Sequence, residues 1–394
     1  MNIEGRIARH VAEMPSSGIR KFFDIVSEMK DAISLGVGEP DFVTPWQVCA
    51  SAIHAIEMGE THYTSNWGTT ELRREIARYL EHRFEVSYNP TNEIIVTVGA
   101  SEGIDLALRA LIEPGDEILI PNPSYVSYTP LCTLCGGVPV SVPCSAENLF
   151  ALQAEDVRKA ITPKTKALVL PYPNNPTGGI MTREGLLALA EVLKDTGVVV
   201  ISDEIYAELT YGGHEHVSFA SLPGMFERTI TLNGFSKAFA MTGWRLGYAC
   251  APAPLAAAMC KIHQYAIMCA PTAGQAAAVE ALRDGYNTDY AAVRRMVEIY
   301  DRRRMLMVSR FRDMGLSCFE PRGAFYTFPS VAATGMTSND FSVGLLKTEK
   351  VACVPGTAFG TGVEDFIRCS CATATDSVEE ALRRIERFVS GKIR

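Results

Sequence analysis

Several residues at the ends of apolar runs are of types that could do chemistry together. Lys237 stands in Asn233-Gly-Phe-Ser-Lys-Ala-Phe239, just past the run Thr229-Ile-Thr-Leu232. A lone lysine is ordinarily a solvated surface charge. One set at a strand end beside polar partners is a candidate imine-forming nucleophile. Asp203 closes the run Val198-Val-Val-Ile201, with Tyr206 a short step beyond. An unpaired carboxylate there would be costly, so the position calls for a cationic partner. Asn174-Asn-Pro-Thr-Gly178 follows Ala167-Leu-Val-Leu170, where an Asn-Pro turn is the plain account. Arg245 lies in Thr242-Gly-Trp-Arg-Leu-Gly-Tyr248. Taken together, Asn175, Asp203, Tyr206, Lys237 and Arg245 fall at or near the carboxyl ends of predicted parallel strands, where open sheets bind ligands.

Gly99-Ala-Ser-Glu-Gly103 matches the GxSxG nucleophile elbow, between a strand-like run and a helical pattern. A serine hydrolase is therefore a rival reading, but it needs a base late in the chain, and the last histidine is His263. The competing reading is a phosphate site, because small residues at a helix N-terminus offer free N–H groups and a positive dipole end. Other nucleotide signals are weak: Gly36-Val-Gly38 lacks a third glycine, and no GxxxxGK[ST] occurs. Cys132 and Cys135 make a single CxxC without a partner pair, so no metal is expected. His214, Glu215 and His216 follow Gly212-Gly213 and read as an exposed hairpin tip. Arg302, Arg303 and Arg304 read as the solvated face of a long helix.

These residues need a frame to position them. Strand-like runs at 93–98, 117–120, 167–170, 198–201 and 229–232 alternate with helical patterns at 101–111 and 183–194. Continuous apolar strands alternating with helices predict a three-layer α/β/α unit with a mostly parallel sheet. Later, a long helix at 290–314, short strands near 324–328, 351–354 and 366–370, and a closing helix at 377–389 predict a smaller α+β unit. The expected division is an N-terminal arm over 1–44 packing on the small domain, a large domain over 45–285 and a small domain over 286–394. Residues 1–30 carry a mixed, helically spaced pattern unlike a signal peptide. The charge-free stretches at 118–146 and 262–279 are interrupted by proline or polar residues. They read as walls of a buried site or a subunit interface, not as membrane spans.

Composition agrees. The chain has 394 residues, 47% hydrophobic and 21% charged, so disorder and coiled coil fail as global descriptions. Lys+Arg 37 against Asp+Glu 45 gives a net −8, which disfavours sequence-blind nucleic-acid or anionic-membrane binding. The 11 cysteines, odd in number and often in apolar runs, read as reduced core thiols of a cytoplasmic protein.

At this point the chain resembles the fold-type-I, pyridoxal-phosphate-dependent aminotransferases of the aspartate/aromatic (class I/II) superfamily. The resemblance runs nearly end to end. It begins at Leu35-Gly-Val-Gly-Glu-Pro-Asp-Phe42 and His62-Tyr-Thr-Ser-Asn-Trp-Gly68, then passes Val98-Gly-Ala-Ser101, Asn122-Pro-Ser-Tyr-Val-Ser-Tyr128, Asn175-Pro-Thr-Gly178 and Ser202-Asp-Glu-Ile-Tyr206. It closes with Phe235-Ser-Lys-Ala-Phe-Ala-Met-Thr-Gly-Trp-Arg245, Gly323-Ala-Phe-Tyr326 and Phe366-Ile-Arg368.

The resemblance implies roles. Lys237 would hold pyridoxal 5'-phosphate covalently and shuttle the substrate proton. Asp203 would keep the pyridine nitrogen protonated, Tyr206 and Asn175 would hydrogen-bond the ring oxygen, and Tyr125 would stack on the ring. The backbone at Ala100 and Ser101, with Ser236 and Arg245, would bind the phosphate. Tyr63 would reach that phosphate from a second subunit, implying a homodimer. Arg368 would pair with the substrate α-carboxylate, and the backbone at Gly38 would close over it. Many relatives carry a hydroxyl where this chain has Gly234, with Ser236 expected to compensate. Tyr125 stands where dicarboxylate specialists often have tryptophan, and no second arginine for a side-chain carboxylate can be placed. The expected activity is transamination between an amino acid (aspartate, aromatic or a related donor) and a 2-oxo acid. A C–S β-lyase or a non-catalytic regulator on the same fold stands as the alternative.

Overall fold

The computed structural model describes residues 3–14 and 31–393. The central sheet has strands β1 (Ile94–Thr97), β2 (Glu117–Asn122), β3 (Val138–Pro143), β4 (Thr165–Leu170), β5 (Val199–Asp203), β6 (Thr229–Gly234) and β7 (Gly247–Cys250). Their order across the sheet is β1-β7-β6-β5-β4-β2-β3. Only β7 runs antiparallel to its neighbours; the other pairings are parallel. The carboxyl ends of β1, β2, β4, β5 and β6 therefore finish along one edge.

Both faces of this sheet are covered, which is why its strands read as apolar runs and not as alternating ones. The helices involved are α1 (Thr70–Phe84), α2 (Gly99–Leu111), α3 (Arg183–Leu193), α4 (Ala253–Ala266) and α5 (Thr272–Asn287). Ile118, Val169, Ile201 and Leu232 pack with α2 and α4, while Leu119, Leu168 and Val200 pack with α3. Ile94, Val96 and Tyr248 pack with α1 and α5. Each fully buried Leu or Ile contributes roughly 1.5–3 kcal/mol, so the sheet is a rigid platform.

A second core gathers α6 (Ala291–Asp313), α7 (Ser338–Glu349) and α8 (Thr375–Val389) against three short antiparallel strands. These are β8 (Tyr326–Thr327), β9 (Val354–Pro355) and β10 (Ile367–Ser370), ordered β9-β10-β8. Ile33–Ser34 pairs in parallel with Val351–Ala352, tying the early chain to this unit. Of the N-terminal pattern at 1–30, residues 1–2 and 15–30 lie outside the described residues.

Two expectations need correction, and one stretch holds a strand not proposed from the sequence. Arg303 and Arg304 are buried, not solvated: Arg303 pairs with Asp41 at 2.9 Å, and Arg304 donates to Pro321 O at 2.8 Å and contacts Asp301 and Glu320. Of that run, helical periodicity turns two arginines inward, and buried guanidinium groups demand such partners. His216 is also drawn in from the turn, its Nε2 lying 3.0 Å from the buried carboxylate of Glu204. The proline-broken stretch at 118–146 holds β3, a whole strand. It survives Pro139 and Pro143 because it is the sheet's edge, where a missing N–H is tolerated.

Candidate active site

The edge formed by those strand ends opens on a cavity of about 340 Å³. Gly38, Ala100, Ser101, Tyr125, Asn175, Asp203, Tyr206, Ser236, Lys237, Arg245 and Arg368 all line it. Eleven of the residues expected at the site thus meet in one place, although they span 331 positions of chain from 38 to 368. Tyr63 does not; it is 81% exposed on the outer surface of its own chain. Gly234 is also outside the lining, whereas Ser236 is in it.

One end of the cavity is built for an anion. Helix α2 begins there without a side-chain cap, so its first N–H groups are free toward the cavity. Gly99 adopts φ +74°, and a Cβ on it would lie 2.7 Å from Arg245 Nη2. Only glycine lets the helix start and the guanidinium come this close. Ser101 is helical. His263 pairs through Nδ1 with Glu102 at 2.7 Å, but its Nε2 has no partner among the described residues, so no Ser101–histidine pair forms for the hydrolase reading.

The opposite feature is a buried acid. Asp203 is 6% exposed at the end of β5, and burial pushes its carboxyl pKa up. Two donors partly offset this: Tyr128 Oη gives a hydrogen bond of 2.7 Å to Oδ2, and Ile205 N–H gives one of 3.2 Å to Oδ1. A cation placed against this carboxylate would be strongly favoured.

Lys237 sits between these ends. Its Nζ donates to Gly38 O at 2.6 Å. Burial first, and then the nearby Arg368, lower its pKa from 10.5 to about 8. A lysine depressed this far is a usable nucleophile and base near neutral pH. Arg368, at 3% exposure, donates from Nη1 to Asn175 Oδ1 at 2.8 Å and from Nη2 to Gly36 O at 2.6 Å. Its Nε is buried with no partner among the described residues. Such an orphan donor beside the cavity suits an incoming carboxylate.

Of the lining residues not singled out from the sequence, two make contacts that bear on the chemistry. Tyr128 was visible in Asn122-Pro-Ser-Tyr-Val-Ser-Tyr128, but nothing in the spacing aims its hydroxyl at Asp203. Tyr326 was visible in Gly323-Ala-Phe-Tyr326; its hydroxyl lies 2.9 Å from that of Tyr206, and its ring lies under the Arg368 guanidinium at 4.4 Å. Both contacts join chain segments far apart and belong to tertiary structure alone.

Comparison with known proteins agrees with this geometry. The family model "Aminotransferase class I and II" matches residues 30–385. The chain belongs to the class I and II aminotransferases. It is 51% identical to the putative aminotransferase YugH of Bacillus subtilis, over 97% of this chain and 98% of that protein. It is 47% identical to the aspartate aminotransferase of Pyrococcus abyssi, over 95% and 96%. Among solved structures, the aromatic aminotransferase of Pyrococcus horikoshii superposes with a TM-score of 0.89 at 44% identity, covering 94% of this chain and 98% of that one. This aminotransferase is therefore of the aspartate/aromatic type, acting on amino acids and 2-oxo acids. No helix among the described residues is long and apolar enough to cross a membrane.

Proposed function

We propose that this aminotransferase works through pyridoxal 5'-phosphate held in the cavity that joins Lys237, Asp203, Arg245 and Arg368. The observation that carries the reading is that one cavity combines a depressed lysine, a buried acid and an anion cradle. The donor set fits the group at three points. The free N–H groups at Ala100 and Ser101, with Ser236 and Arg245, suit a phosphate dianion. Asp203 suits a protonated ring nitrogen. The aromatic face of Tyr125 suits a planar ring. When bound, pyridoxal phosphate supplies the electron sink for the charge left as the α-proton departs.

The chain's own residues do the rest. Lys237 Nζ would hold the group covalently, and its amine, once free, would take up and return the α-proton, acid–base work worth roughly 10²–10⁴-fold. Asp203, steadied by Tyr128, would hold a proton at the ring nitrogen. Tyr206 and the amide of Asn175 would hydrogen-bond the ring oxygen. Arg368 fixes the α-carboxylate, with Gly38 closing over it. Tyr63 completes the phosphate site of a second copy, so the active unit is a homodimer. We assign residues 1–44 to an N-terminal arm, 45–285 to the cofactor domain and 286–394 to the small domain. The pairing of Ile33–Ser34 with Val351–Ala352 supports that grouping. The odd number of cysteines, many of them in apolar runs, supports a cytoplasmic location.

The deciding measurement is the absorption spectrum of the protein loaded with pyridoxal phosphate, before and after single amino acids are added without acceptor. Conversion of the bound-cofactor band, with one amino acid consumed per site, is expected, and the responding amino acid names the donor. Lys237→Ala is expected to lose both the covalent band and turnover; a variant with full activity would refute the assignment.

A further inference from the structure

Two loops meet above the carboxylate clamp. Asn122, at the end of β2, donates from Nδ2 to Thr361 O at 2.8 Å. Thr361 N–H donates back to Asn122 Oδ1 at 3.1 Å. One side-chain amide thus takes both main-chain groups of a single residue, as a neighbouring strand would. Nearby, Ser124 N–H donates to Phe359 O at 3.2 Å. Between these contacts lies Gly360, at φ +151°, where a Cβ would fall 1.7 Å from Asn122 Oδ1. No other residue type can stand there while Asn122 keeps its place.

The far side of this junction touches the substrate site. Phe359 is 5% exposed, and its ring centre lies 4.8 Å from the Arg368 guanidinium carbon. Arg368 is thus packed against both Phe359 and Tyr326. Arg, planar and weakly hydrated, is well suited to such contacts, which fix its plane. On the other loop, Asn122 and Ser124 lead directly into Tyr125, which lines the same cavity. The junction links the element carrying the ring-facing tyrosine to the aromatic contact of the clamp.

We propose that Asn122 is a positioning residue for substrate: by clasping the loop at Phe359–Thr361 it holds Phe359 against Arg368 in the pose that receives the α-carboxylate. The inference rests on the reading of Arg368 given above.

The test uses the holoenzyme with whichever of L-aspartate and L-tyrosine the wild type turns over, and 2-oxoglutarate as acceptor. Asn122→Ala removes two hydrogen bonds. It should raise KM for donor and acceptor alike by roughly five- to tenfold, with kcat within about twofold of wild type. The absorption band of the bound cofactor should keep its position, since Asn122 touches neither Lys237 nor Asp203. Asn122→Asp, which keeps the acceptor for Thr361 N–H but loses the donor, should fall between the two. Gly360→Ala alone should raise KM further. Added to Asn122→Ala it should cost less than it does alone, because the oxygen it strikes is gone. Thr361→Ala should change KM by less than about twofold, since Thr361 Oγ1 accepts from Asn122 Nδ2 only at 3.5 Å and the clasp works chiefly through the Thr361 main chain.

An unchanged KM in Asn122→Ala would overturn the proposal. So would a fall in kcat with an altered band, the mark of a general structural lesion. Arg368→Lys separates the two layers of the argument. If it raises KM while Asn122→Ala does not, the clasp is wrong and the clamp stands. If Arg368→Lys leaves KM unchanged, the clamp itself is wrong.

Discussion

Lys237 and Asp203 occupy the same cavity with opposite electrostatic problems. Burial pushes the lysine toward neutrality and the aspartate toward protonation. In the apoprotein the charged lysine is a cost, present in full below about 8 and relieved as pH rises toward 10.5. Lys237→Met should therefore stabilise the apoprotein at pH 7 by on the order of 2 kcal/mol, with the gain shrinking above pH 8, as read by urea unfolding. Asp203 runs the other way. Tyr128→Phe removes the donor that favours its ionised form, so its pKa rises further. The acid limb of the kcat–pH profile should move to higher pH, and kcat should fall by on the order of tenfold. Lys237 and Asp203 were legible because their types are costly at the ends of apolar strands. Tyr128 was not, since a tyrosine is equally at home in a core and only the fold turns its hydroxyl to the acid.

At the scale of elements, the phosphate cradle is a turn from β1 into α2, and its geometry depends on Gly99. Gly99→Ala imposes a left-handed φ on alanine and drives its Cβ against Arg245. Strain of about 1–2 kcal/mol plus the displaced guanidinium should weaken pyridoxal phosphate binding by roughly 10–100-fold, measured by fluorescence titration of the apoprotein. The parallel strands were legible as continuous apolar runs. β3 was hidden by its prolines, which its edge position tolerates. The buried members of the arginine run on α6 were hidden because charge count says nothing about which face of a helix meets a carboxylate such as Asp41.

For the whole molecule, the outer surface is the informative part. Val43, Trp46, Ile56, Met58, Tyr63 and Tyr265 are each more than half exposed. A second copy completing the site with Tyr63, proposed above, would cover apolar side chains of this kind. Complementation tests this directly. Mixed dimers of Lys237→Ala and Tyr63→Ala chains carry one site with an intact lysine and an intact tyrosine from its partner. Refolded mixtures should recover activity that neither variant has alone, up to one working site per mixed dimer. Mixtures no better than their parents would place Tyr63 outside the partner's site.

From the sequence alone came the family, the alternation of strand and helix, and the set of residues at the strand ends, because burial and charge constrain residue type position by position. Which of those residues touch is a different matter. The Tyr128–Asp203 bond, the Tyr206–Tyr326 pair and the hold of Asn122 on the loop beside Arg368 each join segments 75 or more residues apart. Only tertiary packing sets such distances, and a one-dimensional pattern carries no term for them.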